Sequence, residues 1–260
     1  MNEARLRVER DEAIGRMVFD NPARRNAISG AMWRAIPEAM AQFDADPVIR
    51  CIVLRGEGTV AFAAGADISE FEKRRASESS AREYEGVVEA AQNALERSPK
   101  PVIALIHGFC IGGGLEMALA CDLRYASGSS QFAIPAARLG IGYGLHGMNR
   151  LVATVGHAMA REIMFTGRRY NAQEALSMRL VNRVLPDAEL DQYVRELALD
   201  LARNAPLSIA ASKKVIDTLI APAGDFGESE ELIARCMRSE DYIEGRRAFM
   251  EKRPPRFSGR

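Results

Sequence analysis

Five apolar residues in a row, Val102-Ile103-Ala104-Leu105-Ile106, follow Pro99 and Pro101 and run straight into His107-Gly108-Phe109-Cys110-Ile111-Gly112-Gly113-Gly114. A half-exposed strand would alternate apolar and polar residues. An unbroken apolar run suits a strand buried on both faces, as in a parallel sheet covered by helices. After the glycines, Leu115-Glu116-Met117-Ala118-Leu119 suits a helix over 113–120. Short apolar runs at 51–54 and 123–126 suit two further strands. Strand, loop and helix therefore alternate up to about residue 144, which predicts an α/β fold built on a parallel sheet.

The flanks read differently. Leu6 and Val8, then Ile14, Met17 and Phe19, lie on either side of a polar stretch at 9–13, which predicts a β-hairpin. Ser29 is placed to cap a helix through Phe43, with Met32, Ile36, Met40 and Phe43 on one face. Pro37 inside it predicts irregular first turns. Residues 56–66 read as a Gly- and Ala-rich loop, and 80–97 as a helix. Beyond 144 helical periodicity runs to Met250, broken by an apolar strand at 181–184, and Pro254-Pro255 follow. Two units are expected: a core over 1–195 and a helical region over 196–260. Helices with apolar faces and no sheet of their own must pack on the core or on another subunit.

Composition narrows the function. Lys+Arg and Asp+Glu both number 35, so the formal net charge is zero and no nucleic-acid partner is expected. The polar start MNEARLRVERDEA lacks an apolar signal core, and no apolar run approaches the ~20 residues of a membrane span. A cytoplasmic chain is expected. Cys51, Cys110, Cys121 and Cys236 lack CxxC spacing and read as reduced thiols, three of them in apolar surroundings. With three histidines and no HExxH or Cys/His cluster, no metal site is expected.

Two segments can carry chemistry. In Ala61-Phe62-Ala63-Ala64-Gly65-Ala66-Asp67-Ile68 and in 107–116, small residues follow a strand and precede a helix. Small residues let backbone N–H groups approach a ligand, and a helix start adds unpaired donors and partial positive charge. Such a junction suits an anion, or an oxygen that becomes negative during reaction. Three glycines can equally serve tight strand–helix packing. The loop matches neither GxxxxGK[ST] nor GxGxxG, so a nucleotide is not indicated. Glu116, in an apolar helix, needs a partner or a task. Pairing with Arg124 and a functional role both stay open. Cys110 reads as packing, as do Trp33 and the Met-rich helices.

The chain resembles the enoyl-CoA hydratase/isomerase (crotonase) family. FAAGADI, PKPVIALIHGFCIGGGLEMALACD, QFAIPAARLGI and SEDYIEGRRAFMEKRPPRF are similar to family segments in order and spacing. The likeness runs from NPARRNAIS to the C-terminal AFMEKR. It implies a β-β-α spiral core with a helical C-terminal trimerisation region, assembled as a homotrimer or a dimer of trimers. It implies an acyl-CoA substrate from fatty acid metabolism, with coenzyme A bound as part of that substrate and no separate cofactor. By match, the N–H groups of Ala66 and Gly113 polarise the thioester carbonyl, and Glu116 is the first of two catalytic glutamates. Ala136 stands where the second would be. Tyr143 matches a tyrosine of the family's methylmalonyl-CoA decarboxylase, which however carries histidine where this chain has Ala66.

Arg25, Ala64, Ala66, Asp67, Ile68 and Gly113 match positions that contact coenzyme A. Phe249 and Lys252 match others, often supplied by a neighbouring subunit. Arg24, Lys73 and Arg74 are further candidates for its phosphates, and Arg138 and His146 for the acyl end. The resemblance implies reversible addition of water to a 2-enoyl-CoA. Decarboxylation of a malonyl-type thioester, or thioester binding with weak turnover, remain alternatives.

Overall fold

A computed structural model describes residues 4–67, 78–139, 141–220 and 226–260. The alternation near the start gives the hairpin: β1 (Arg5–Asp11) runs antiparallel to β2 (Ile14–Asp20), with Glu12 in left-handed backbone at the turn. Helix α1 (Gly30–Ala45) begins at Ser29, whose side chain accepts the N–H of Met32 at 3.3 Å. Met32, Trp33, Ile36, Met40 and Phe43 form its buried face. The irregular first turns expected from Pro37 are not seen. Trp33 donates to the Ser29 carbonyl at 3.0 Å, and the helix continues past Pro37 to Ala45. A proline beyond the first turn removes one donor. The buried face holds the helix together around it.

Three repeats of long strand, short strand and helix follow. They are β3 (Cys51–Gly56), β4 (Ala61–Ala63) and α2 (Glu78–Arg97); β5 (Val102–Ile106), β6 (Phe109–Ile111) and α3 (Gly113–Leu119); β7 (Leu123–Ser127), β8 (Gln131–Ala133) and α4 (Ala136–Leu139). Long strands join one six-stranded sheet of order β1-β2-β3-β5-β7-β10, parallel throughout except for the hairpin. Short strands join a second sheet of order β4-β6-β8-β9. Strands β9 (Tyr170–Asn171) and β10 (Arg183–Leu185) complete the two. The second sheet was not foreseen, because strands of three residues show no period and 61–63 and 109–111 fall in glycine-rich stretches.

Helical structure dominates the rest, as its periodicity predicts. It comprises α5 (Leu145–Thr166), α6 (Ala172–Ser177), α7 (Leu190–Arg203), α8 (Pro206–Ile220), α9 (Phe226–Met237) and α10 (Glu240–Glu251). Helix α5 kinks at Gly156, where φ is 76°. The strand expected at 181–184 lies at Arg183–Leu185 instead. Val181 is buried in the core, and Asn182 trades both its groups with Arg124: its N–H donates to the Arg124 carbonyl and its side chain accepts the Arg124 N–H, each at 2.8 Å. Among the described residues no helix is long and apolar enough to cross a membrane.

Both faces of the six-stranded sheet are covered. Val102, Ala104 and Ile106 face the main core with α1 and the short strands. Ile103 and Leu105 face the other way, with Ile14, Cys51, Val53 and Tyr125, against Leu190, Val194 and Ala198 of α7. The apolar run of β5 is thus required on both sides. Where β5 ends, His107 is buried, and its Nε2 lies 2.6 Å from Asp191 on α7. Arg55 of β3 donates to the same carboxylate. This contact ties the start of the glycine loop to α7.

The bond to His107 and the charge of Arg55 hold the Asp191 carboxyl down, at about 2. A depressed carboxyl stabilises the fold above its unfolded value of ~3.9 and loses that contribution as pH falls toward the folded value. Urea midpoints measured from pH 5 to pH 2.5 should therefore fall more steeply in the wild type than in Asp191→Asn. Parallel curves would show that the contact adds nothing to stability.

Candidate active site

The site forms where two short strands end. After β4 the chain passes Ala64-Gly65-Ala66-Asp67 beside Ile28. Ile28 donates to the Gly65 carbonyl at 2.8 Å, and Asp67 donates to the Ile28 carbonyl at 3.0 Å. Ala64 donates to the Arg25 carbonyl at 3.0 Å. Arg24 closes the clamp, its Nη1 lying 2.6 and 2.7 Å from the two oxygens of the buried Asp67 carboxylate. These bonds leave the Ala66 N–H, between them, pointing elsewhere.

After β6 the chain turns into α3 through Gly112, whose φ of 52° and ψ of −121° are closed to side-chain-bearing residues. Gly112 donates to the Ala133 carbonyl at 2.8 Å, and Gly113 opens the helix. The first N–H groups of a helix have no acceptor inside it. Among the described residues no backbone carbonyl accepts from the N–H of Ala66 or Gly113. The two donors converge: a Cβ placed on Gly113 would lie 3.6 Å from the Ala66 nitrogen, and one placed on Gly65 would lie 3.8 Å from the Gly113 nitrogen. Close approach holds them together. A Cβ on Gly114 would sit 2.3 Å from the Ala63 carbonyl oxygen, so α3 rests directly on β4. The buried Trp33 ring lies against Gly113 on the other side, with Cζ2 3.4 Å from the position of a Cβ there.

Glu116 follows Gly113 by one turn. Positions three apart share a helix face. Gly114, Leu115, Met117 and Ala118 are buried, whereas Gly113 and Glu116 are both partly open, so the donor and the carboxylate face the same space. The Arg124 pairing considered for Glu116 is not formed. The buried Arg124 guanidinium donates instead to the carbonyls of Ala118, Cys121 and Leu180. The Glu116 carboxylate reaches across to α5, where Oε1 would lie 2.8 Å from a Cβ on Gly147. Tyr143, just before α5, is half-buried and brings its hydroxyl to 3.9 Å from the position of a Cβ on Gly112. Ala66, Gly113, Glu116 and Tyr143, far apart in sequence, thus surround one junction.

Other candidates lie elsewhere. His146 is exposed and pairs with Glu89 of α2 at 3.1 Å. Arg138 donates to the Thr166 carbonyl at 3.2 Å, at the far end of α5. Ala136 is buried at the head of α4. Burial pushes the Cys110 thiol well up, which suits packing rather than attack. Arg25 is exposed, in left-handed backbone, with its guanidinium 4.7 Å from the centre of the Phe109 ring. Lys252 is exposed at the end of α10. Ile68, Lys73, Arg74 and the Phe249 side chain lie outside the described residues. Sequence reasoning missed Gly147. A lone glycine in the first turn of a long helix carries no sign of what will face it.

The enoyl-CoA hydratase/isomerase family model matches residues 9–260. A short-chain-enoyl-CoA hydratase from Clostridium acetobutylicum is 33% identical over 255 residues, covering 95% of this chain and 94% of its own. A carnitinyl-CoA dehydratase from Proteus mirabilis is 36% identical over 252 residues, covering 94% of each. Among solved structures, an enoyl-CoA hydratase/carnithine racemase from Magnetospirillum magneticum superposes with a TM-score of 0.94 at 37% identity, covering 98% of this chain and 96% of that one. Fold, ordered motifs and relatives agree, and the chain belongs to the enoyl-CoA hydratase/isomerase (crotonase) family.

Proposed function

We propose that this protein is a hydro-lyase that adds water reversibly to a 2-enoyl-CoA. The observation that carries the reading is the convergence of two backbone donors, Ala66 and Gly113, with the Glu116 carboxylate one helical turn away. Attack of water on the β-carbon of an enoyl thioester moves charge onto the thioester oxygen. Donors fixed in advance stabilise that charge at no cost of reorganisation, and losing one such donor typically costs ~10²–10³-fold in rate. Glu116 takes a proton from water as the oxygen bonds to the β-carbon. The α-carbon of the enolate then takes a proton back, and the thioester carbonyl re-forms.

Two-glutamate hydratases divide these proton transfers. Here Ala136 has no proton to give, so Glu116 returns the proton it has taken, and the Tyr143 hydroxyl stands near as an alternative donor. Coenzyme A lies along Arg25 and Ala64, two of the positions that the family resemblance assigns to it. In this reading Asp67 acts through Arg24, holding the Ala66 donor in place, more than by touching the ligand. Lys252, exposed at the end of α10, reaches the coenzyme from a neighbouring subunit.

The helical region supports the assembly that the family resemblance implies, a homotrimer or a dimer of trimers. Phe165 of α5 and Ile216, Leu219 and Ile220 of α8 are exposed, together with Ile233, Met237, Ile243 and Met250 of α9 and α10. Exposed large apolar side chains gathered on the C-terminal helices support an interaction surface there. Light scattering at micromolar concentration should return three or six times the 28.5 kDa chain mass. A monomer would refute the assembly.

For the chemistry, Glu116→Gln keeps the shape and removes the base. Hydration of crotonyl-CoA should fall by ~10²–10⁴-fold, the usual contribution of a general acid–base group, with acyl-CoA affinity little changed. Wild-type turnover in this variant would reject Glu116 as the base.

A further inference from the structure

We infer that Gly147 is a positioning residue for the reaction: its missing side chain makes the space in which the Glu116 carboxylate is held. The inference rests on the reading of Glu116 as the base. Gly147 is the third residue of α5, a 22-residue helix. Glycine is a poor choice there, because it is among the weakest helix formers. Nor does its backbone need glycine. It is not among the residues with positive φ, unlike Gly112 and Gly156, and the non-helical φ and ψ inside α5 lie at Gly156. What it lacks is room. The three nearest atoms to a Cβ placed on Gly147 are all from Glu116: Oε1 at 2.8 Å, Cδ at 3.6 Å and Cγ at 4.0 Å. No main-chain atom is among them. An added methyl would therefore press first on the end of the Glu116 side chain, whose carboxylate must shift.

The neighbouring glycines make the contrast. Cβ atoms at Gly142 and Gly144 would meet nothing within 4 Å, and one at Gly114 would strike main chain. Of these, Gly147 alone trades a side chain for the position of an acid. Helix α5 begins at Gly144, which offers no side-chain cap, and the first bond inside the helix is from Met148 to the Gly144 carbonyl at 3.1 Å. The residues before Met148 therefore present N–H groups without intrahelical acceptors, at the positive end of the helix. A carboxylate resting on Gly147 lies against this end, where negative charge is favoured. A side chain at 147 would lift it away. A shift of about 1 Å in a reacting group can cost on the order of 10²-fold.

The test compares Gly147→Ala, Glu116→Gln and the double variant. Thermal melting reads the fold, calorimetry with a non-reacting acyl-CoA thioether reads binding, and crotonyl-CoA hydration reads turnover. Gly147→Ala should melt at or above the wild-type temperature, because alanine is the better helix former. It should bind the thioether as tightly as wild type, and its kcat should fall by about 10–100-fold. The double variant should be no slower than Glu116→Gln, because the two changes act on one group. Wild-type kcat in folded Gly147→Ala would overturn the proposal. So would failure of that variant to fold, since the crowding would then be structural, and so would a further equal loss in the double variant. If Glu116→Gln keeps wild-type turnover, the base assignment falls first. If that variant is slow and Gly147→Ala is not, only the positioning role falls.

Discussion

The contact on which the rest depends is the seat of α3 on β4. The Ala63 carbonyl lies where a side chain of Gly114 would begin, 2.3 Å from that Cβ position. No other residue permits that approach, and the approach is what brings the ends of β4 and β6 together. Strands β4, β6 and β8 each belong to one of the three repeats, and β4 and β6 lead directly into the two segments that carry the donors. Stacking two such repeats at backbone distance puts the N–H groups that the turns cannot satisfy into one small space. The site is a by-product of how tightly the layers stack.

Polar contacts keep that space open. Asn26, buried and in left-handed backbone, donates to the carbonyls of Glu57 and Ala61 at 3.0 and 2.7 Å, and so pins the turn between β2 and α1 to the start of β4. Arg24 grips Asp67 one residue past the Ala66 donor. His107 is held by Asp191, which anchors the glycine loop from the far side of the sheet. None of these need touch substrate. A backbone donor cannot be aimed by its own side chain, so its direction is set by bonds on both sides of it. Ile28, Arg25 and Arg24 do this for Ala66, and Ala133 does it for Gly113 through Gly112.

Much of the main sheet is legible in the chain. Strand β5 is five apolar residues because α7 covers one face and the core the other, and burial on two faces leaves a plain signal. The hairpin and α1 carry periods long enough to read, and the Ser29 cap is local chemistry. The second sheet is illegible for the opposite reason. Strands of three residues show neither period nor length, and their existence depends on pairing partners many residues away. The strand near 183 begins two residues later than its apolar run suggests, because Val181 is drawn into the core and Asn182 is engaged by Arg124.

The same division runs through the site. The sequence by itself determines that Glu116 shares a helix face with Gly113, because helix geometry is local, and its glycines admit unpaired N–H groups at the strand ends; that two of these groups converge is decided by how the layers stack. Whether Glu116 pairs with Arg124 was not decidable from the chain. Both outcomes satisfy a carboxylate, and only the packing of α3 sends the arginine to the carbonyls of Ala118, Cys121 and Leu180. Tyr143 and His146 stand three residues apart, and the chain alone does not say which of them faces the site. The path of the chain into α5 turns one toward Gly112 and leaves the other on the surface with Glu89. Gly147 shows the limit most plainly. A missing side chain has meaning only from what occupies its place, and the occupant lies 31 positions earlier in the chain, brought there by tertiary structure alone.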